Sequence, residues 1–193
     1  NNNEFAHKVV IITGAARNIG RELAAMFTHE GANVVVNSRS ARRELADTVE
    51  AANAAGKTCG ARAVSCVADI TQAADVERLT QTALTQFGRI DVLINNAVVH
   101  ANKPFMQLTF DDWRDTMSVA LDGAFRMTQA CTPHLMREGG SIINMGGLFG
   151  HMPSAGRAAT AAAKAGLAGF TRALAVELAP DRKSTRLNSS HVS

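Results

Sequence analysis

The sequence lacks tyrosine altogether, and it holds few cysteines and no long apolar run. Without tyrosine, the protein has no phenolic side chain for acid–base chemistry. The three cysteines, Cys59, Cys66 and Cys131, show neither metal-ligand spacing nor a CxxC pair. We therefore expect reduced cysteines that pack in the interior, and no metal site.

No stretch approaches the roughly 20 apolar residues that would span a membrane. Residues 1–8 also lack the apolar centre of a signal peptide. These two absences lead us to expect a cytoplasmic protein with no membrane partner.

Acidic residues are absent from the last twelve positions, which hold Arg182, Lys183 and Arg186. Without these three residues, the basic side chains of the chain equal the 17 acidic ones. The isoelectric point near 9.0 therefore reflects the tail. We expect no nucleic-acid-binding surface.

The most informative segment that is present runs from Val9 to Gly20. Its four β-branched residues, 9–12, are typical of a parallel strand that is covered on both faces. Gly14 allows a sharp turn, and Gly20 allows the next helix, predicted over 21–29, to pack closely. The N-terminus of such a helix can bind a phosphate through its N–H groups and its dipole. An ordinary strand–helix turn would explain the same glycines equally well.

Strand and helix patterns alternate along the chain, and no linker or low-complexity insert interrupts them. This alternation predicts one α/β domain over 1–181 with a doubly wound parallel sheet. Predicted strands cover 9–12, 32–37, 61–67, 90–95 and 141–145; predicted helices cover 21–29, 41–55, 73–87, 109–138 (in two pieces) and 154–178. A ligand crevice is expected at the carboxyl ends of these strands.

Several motifs lie at those strand ends, and their order and spacing resemble the short-chain dehydrogenase/reductase family. They are Thr13-Gly14-x3-Asn18-Ile19-Gly20, Asp69-Ile70, Asn95-Asn96-Ala97, the segment 140–150, and Ala161-Ala162-Ala163-Lys164-Ala165-Gly166-Leu167. The resemblance covers about residues 7–181 and is closest in style to oxoacyl-carrier reductases. It implies a Rossmann-type sheet and an NAD(P)-dependent oxidoreductase that acts on a small carbonyl or alcohol substrate.

The resemblance also assigns cofactor-binding residues. Gly14, Asn18, Ile19 and Gly20 would form the pyrophosphate turn, where Asn18 replaces the usual middle glycine and tolerates a left-handed backbone. The remaining assignments are Asp69 and Ile70 at the adenine, Asn95 and Ala97 beside the adenine ribose, and Lys164 at the nicotinamide ribose.

The choice between NAD and NADP depends on the charge near the ribose 2′ position. The second strand ends in Asn37-Ser38-Arg39-Ser40, without an acidic residue, and Arg17 lies in the glycine turn. Guanidinium groups are well suited to bind a phosphate. We therefore predict that NADP(H) is preferred over NAD(H).

The family's catalytic set is largely missing. Lys164 is retained, but Thr160 stands at the tyrosine position, Gly147 at the serine position and Ala120 at the asparagine position. An aliphatic hydroxyl is a far weaker acid than a phenol, and glycine and alanine offer no donor. Two loop histidines near the crevice, His151 and His100, could replace the missing proton donor. A single histidine in a loop is, however, more often a surface residue without a catalytic role.

The chain also departs from the family after Asp181, where the family continues into further strands and a substrate lid. Residues 182–193 show no strand pattern and resemble a translated sequencing-adapter tail. A naturally short, disordered terminus is the alternative interpretation. The sequence therefore suggests a C-terminally truncated fragment with a non-native, disordered tail, and a fifth strand without a partner.

Two hypotheses follow. In the first, the family fold binds NADP(H) but has lost hydride transfer, and it serves as a nucleotide-responsive partner or an inert subunit. In the second, it is an NADP-dependent oxidoreductase with a substitute acid such as His151. By resemblance, the alanine-rich stretch Ala158 to Ala175 and the helix near Ala124 to Leu135 would form a homo-oligomer in the full-length parent. The small residues of both would serve equally well for packing on the sheet.

Overall fold

A computed structural model describes residues 4–147, 150, 152, 154–178 and 186–189. Six strands form one sheet: β1 (Val9–Ile12), β2 (Asn33–Ser38), β3 (Ala63–Val67), β4 (Val92–Asn95), β5 (Ser141–Asn144) and β6 (Arg186–Ser189). Six α-helices lie between them: α1 (Asn18–His29), α2 (Arg42–Ala55), α3 (Ala73–Phe87), α4 (Phe110–Met117), α5 (Gly123–Glu138) and α6 (Ala158–Leu178). The doubly wound α/β architecture predicted from the sequence is confirmed.

All strand pairs are parallel, and the strand order is β3-β2-β1-β4-β5-β6. The order reverses between β1 and β4, which are neighbours in the sheet although α1, β2, α2, β3 and α3 separate them in the chain. Ligands bind to sheets of this kind at such a reversal, beyond the carboxyl ends of the strands.

Strand β1 shows why the apolar runs of this sequence are continuous rather than alternating. Val9 and Ile11 pack in one buried cluster, and Val10 and Ile12 pack in the other. The first cluster includes residues of α3 and α5, and the second includes residues of α1 and α2. Because helices cover both faces, every position of β1 must be apolar.

The predicted helical segment 109–138 consists of two α-helices joined by a π-helical segment, Ser118–Asp122. Thr109 and Asp112 form a capping box that starts α4. The Gly123 N–H donates to the Ser118 carbonyl, a bond that spans one residue more than in an α-helix. This bulge joins the two predicted helix pieces and keeps them continuous.

The expectation that no strand follows residue 181, and that β5 has no partner, is wrong. Arg186–Ser189 pairs in parallel with β5, from Ser141↔Arg186 to Asn144↔Ser189. Without a neighbour, the edge of β5 would leave its backbone N–H and C=O groups unpaired. A short extended segment can pair with these groups even when its sequence lacks a strongly apolar pattern. Positions 182–185 and 190–193 of the predicted tail lie outside the described residues.

Among the described helices, none is long and apolar enough to cross a membrane. The three cysteines are free. Burial raises the pKa of the Cys131 thiol to about 12, so this group packs as a neutral side chain.

Candidate functional site

The glycine turn after β1 is held closely against the end of β4. Gly14 has a φ of 64°, and a Cβ at this position would lie 2.7 Å from the Ala97 Cα atom. Thr13 accepts hydrogen bonds at its hydroxyl from the Asn96 and Ala97 amides, at 3.0 and 3.1 Å. Only glycine can occupy position 14 while this contact is kept.

Helix α1 begins at Asn18, three residues before the predicted Arg21, and Asn18 itself adopts a left-handed backbone with φ 51°. The prediction that asparagine would preserve this turn is confirmed. No side chain caps the helix, and its first turn holds no acidic residue. Its first N–H groups and its positive dipole end therefore stay available to an anion.

Replacing Asn18 with glycine should raise the free energy of unfolding by up to about 1 kcal/mol, since glycine adopts the left-handed region without steric cost. Asn18→Ala should lower it by about 1 kcal/mol. Urea unfolding followed by circular dichroism would measure both changes. Equal stability of the two variants would contradict a strained backbone at this position.

A cleft of about 520 Å³ opens at the reversal between β1 and β4. This volume is typical of small-molecule and cofactor sites. Predicted cofactor residues that line it are Gly14, Arg17, Asn18, Ile19, Arg39, Asp69, Ile70 and Ala97. Gly20 supports the turn from behind, where a Cβ would lie 2.8 Å from the Gly14 carbonyl oxygen and from the side-chain Nδ2 atom of Asn96.

The end of β2 forms one wall of the cleft. Buried Asn37 donates to the Cys66 and Ala68 carbonyls at 3.1 and 2.9 Å, and its own carbonyl accepts from the Ala15 amide at 2.7 Å. This fixes the strand end against both the turn and β3. The following residues, Ser38, Arg39 and Ser40, also line the cleft.

Asp69 and Ile70 line the cleft beyond β3, as predicted. One carboxylate oxygen of Asp69 accepts from both the amide and the hydroxyl of Thr71, at 2.9 and 2.8 Å. Ile70 is buried, and a Cβ added at Gly123 would lie 2.7 Å from its Cδ1 atom. The pair therefore offers a fixed carboxylate next to an apolar surface.

Asn95, which was predicted to lie beside the adenine ribose, does not line the cleft. Its side chain is 4% exposed and donates to Thr128 and Asn144, at 3.2 and 2.8 Å, so it does not reach the cleft. The neighbouring Asn96 lines the cleft and donates to the carbonyls of Thr13 and Gly14. Successive residues at a strand end point to opposite sides, and the motif alone does not identify which asparagine faces the ligand.

Lys164 lies on α6 and is 7% exposed. Its Nζ donates to the Met145 carbonyl at 2.5 Å, and burial lowers its pKa to about 8. It is not among the described residues that line the cleft. One turn earlier on α6, Thr160 is 1% exposed, and its hydroxyl lies 3.3 Å from Nδ1 of His100. His100 follows β4 and lines the cleft.

Ala120 and Gly147, which the resemblance assigned to the asparagine and serine positions, offer no side-chain donor. Ala120 is buried in the π-helical segment. Gly147 has a φ of 126°, and a Cβ there would meet nothing within 4 Å. A serine would therefore fit in space but would strain the backbone. His151, the tentative substitute acid, lies outside the described residues.

Sequence reasoning missed Thr48 of α2, which is fully buried. Its hydroxyl donates to the Ala15 carbonyl at 3.1 Å and links the glycine turn to α2. A threonine in a helix gives no signal for this role, because it can equally bond to its own helix, as Thr48 also does with Glu44. No cluster of three potential metal ligands occurs in the described part of the chain.

The sequence profile of the short chain dehydrogenase family matches residues 8–189. The chain belongs to this family. Membership implies a nicotinamide cofactor, and the glycine turn, the uncapped α1 and the cleft fit such a group.

Curated relatives in the short-chain dehydrogenase family include 3-oxoacyl-(acyl-carrier-protein) reductases. FabG of Staphylococcus epidermidis is 34% identical over 174 residues, which are 90% of this chain and 70% of that protein. FabG of Salmonella typhimurium is 33% identical over 178 residues, or 91% of this chain and 69% of that protein.

Solved structures of family members have the same fold. A short-chain alcohol dehydrogenase from Sinorhizobium meliloti superposes with a TM-score of 0.87 at 30% identity, covering 98% of this chain and 73% of that one. A short chain dehydrogenase from Mycobacterium paratuberculosis bound to NAD superposes with a TM-score of 0.88 at 28% identity, covering 97% of this chain and 72% of that one. This chain is thus shorter than the relatives that it matches.

Proposed function

We propose that this short-chain dehydrogenase binds NADP(H) in the cleft between β1 and β4. The observation that carries the proposal is that Arg17 and Arg39 line the same cleft, while β2 ends without an acidic residue. Carboxylates at that strand end favour a free ribose 2′-hydroxyl, whereas guanidinium groups favour a 2′-phosphate.

The geometry supports one orientation of the cofactor. The pyrophosphate would lie on the N-terminus of α1 beyond Gly14, and the 2′-phosphate would lie near Arg17, Ser38 and Arg39. The adenine would lie between Ile70 and Ala97. The nicotinamide would then extend towards the β5 side of the sheet, where His100 contacts α6.

Arg39→Asp should weaken NADPH binding about 10- to 100-fold, because it removes a charge-assisted hydrogen bond worth roughly 1.5–3 kcal/mol and adds a repulsive carboxylate. NADH affinity should change less than threefold. Titration calorimetry of both cofactors would measure this. Arg43→Asp is the matched control, since it makes the same charge change on α2 at a described position that does not line the cleft. Comparable NADH and NADPH affinities in the wild type, unchanged by Arg39→Asp, would overturn the proposal.

Two alternatives remain for this function: the protein binds NADP(H) without hydride transfer, or it also catalyses hydride transfer. Thr160, Gly147 and Ala120 replace the three side chains that the family resemblance expects, which supports a protein that binds NADP(H) without turnover. The contact between His100 and Thr160 favours the alternative, a reductase of small carbonyl compounds with a different proton donor. An assay of NADPH oxidation with a panel of ketones, aldehydes and 3-oxoacyl thioesters separates the two.

A further inference from the structure

His100 occupies a position that joins the cleft to α6. It follows the carboxyl end of β4 and lines the cleft. Its Nδ1 atom lies 3.3 Å from the Thr160 hydroxyl. The strand order reverses between β1 and β4. Arg39, in the proposed phosphate site, follows β2 on one side of this reversal, whereas His100 follows β4 on the other side, where α6 contacts β5.

We propose that His100 donates the proton to the carbonyl oxygen of the substrate and that Thr160 positions its ring. The inference rests on the proposed NADP(H) function. It applies to the second alternative, in which the protein reduces a carbonyl substrate.

The chemistry of the other described cleft residues supports this choice. Arg17 and Arg39 carry guanidinium groups, which bind anions rather than transfer protons. Asp69 presents a carboxylate that already accepts two hydrogen bonds from Thr71. The hydroxyls of Ser38 and Ser40 are too weakly acidic. Within this described lining, the imidazole is the group that exchanges a proton near neutral pH.

Thr160 fixes the orientation of that imidazole. It is 1% exposed and lies on helix α6, so its hydroxyl is held at a fixed place in the packed interior beside the ring. With Nδ1 engaged by Thr160, Nε2 is the nitrogen left to meet a substrate. A proton donor must be held in this way to act efficiently, because proton transfer requires hydrogen-bond distance and alignment.

The charges around His100 make it a stronger acid than a free imidazole. Burial lowers its pKa, and Arg157 and Lys164 lower it further by repulsion of the imidazolium. Arg157 precedes α6, and Lys164 lies on α6. A lower pKa favours release of the proton to an alkoxide but reduces the protonated fraction at neutral pH.

The proposed step balances as follows. When bound, the reduced nicotinamide would supply the hydride for the new C–H bond at the carbonyl carbon and would itself become oxidised. The π electrons of the C=O bond move to oxygen, and this oxygen takes the proton from Nε2 of His100. The N–H bond breaks and an O–H bond forms. The neutral imidazole is then reprotonated by H⁺ from the solvent, so that the reaction consumes one proton overall.

The first experiment compares NADPH oxidation by the wild type and by His100→Gln with the panel of carbonyl compounds. The variant should lose about 10²- to 10⁴-fold in kcat, which is typical for removal of a general acid. Its affinity for NADPH should stay within twofold. His29→Gln is the matched control, because His29 lies exposed at the end of α1 and should change neither quantity.

The pH profile gives a second readout. In the direction of carbonyl reduction, kcat/KM should fall as the pH rises through the lowered pKa of His100, since the protonated ring is the donor. Thr160→Val should shift this limb and lower kcat, and Thr160→Ser should restore both. Loss of activity without a shift would indicate a merely structural role for Thr160.

A third readout does not depend on activity. Histidine ring signals in NMR should show one imidazole, absent in His100→Gln, with a pKa lower than that of a free imidazole. Its signal should move when NADP⁺ is added. In Thr160→Val, the same ring should change its balance of tautomers, because its Nδ1 partner is gone.

The outcomes separate the two proposals. If the wild type binds NADPH but reduces no compound, or if His100→Gln keeps the wild-type rate, the role of His100 is overturned and cofactor binding stands. If His151→Gln abolishes turnover and His100→Gln does not, the donor is His151. If the wild type fails to bind NADPH, the proposed function itself is wrong.

Discussion

Gly14→Ala should abolish measurable NADPH binding and lower the free energy of unfolding by about 2–5 kcal/mol. Two costs combine at this position. The left-handed backbone costs about 1–2 kcal/mol for any residue with a Cβ, and the new Cβ would lie 2.7 Å from the backbone of Ala97. Relief of that overlap costs roughly a further 1–3 kcal/mol. Because the turn must move to relieve the contact, the phosphate site moves with it.

Two other glycines separate these costs. Gly60 has a similar φ of 75°, but a Cβ there would meet nothing within 4 Å, so Gly60→Ala should cost only the backbone strain and leave NADPH binding unchanged. Gly20 has no positive φ, but an added Cβ would lie 2.8 Å from the Cα atom of Ala15. The stability loss in Gly20→Ala should therefore reflect steric overlap without backbone strain. Urea unfolding and calorimetric titration with NADPH would measure all three variants. Equal stability losses in Gly14→Ala and Gly60→Ala would contradict the importance of the Ala97 contact.

Asp91→Ala should destabilise the protein by about 3 kcal/mol at pH 7, because it removes a buried carboxylate that several groups share. The Asp91 side chain is 3% exposed and accepts from the Val9 amide at 2.9 Å, from Lys8 at 3.0 Å and from Arg89 at 2.7 and 2.6 Å. Arg89 also contacts Glu138 at the end of α5. Without the carboxylate, the buried Val9 amide would have no acceptor.

This stabilisation should depend on pH with a defined sign. Burial raises the pKa of Asp91, but the hydrogen bonds from Arg89, Val9 and Lys8 outweigh it and hold the pKa below its ordinary value. The contribution is therefore complete above a pH of about 4 and is lost as the pH falls through the lowered pKa. Urea unfolding of the wild type and Asp91→Ala at several pH values should show a difference that shrinks in acid.

Asp47→Ala is the control for this prediction. Asp47 is exposed on α2, and its loss should change stability by no more than about 0.5 kcal/mol at any pH. A similar effect of both substitutions would show that the Asp91 network does not stabilise the fold.

Much of the framework could be predicted from the sequence because its signals are local. Four successive β-branched residues identified β1, and Gly88 marked the end of α3, where it adopts a φ of 80°. The tolerance of Asn18 for a left-handed backbone also follows from the residue itself. Cleft residues that immediately follow strands, such as Arg39 and Asp69, were placed correctly because parallel strands end at the same edge.

The tertiary structure decided the parts that depend on contacts between distant segments. Nothing in the Asn95-Asn96 pair shows that the first bonds to Asn144 and the second to Gly14. Thr48 reaches the glycine turn only because α2 packs beside it. The pairing of β6 with β5 depends on an open sheet edge rather than on a strand-like composition.

The sequence by itself determined the α/β framework, the position of the glycine turn and the absence of any phenolic acid. Only the tertiary structure brought His100 against Thr160, which lies sixty residues away in the chain. The physical reason is that backbone conformation is set largely by neighbouring residues, whereas the chemistry of a site depends on distances between side chains on different elements. Those distances follow from how the helices pack against the sheet.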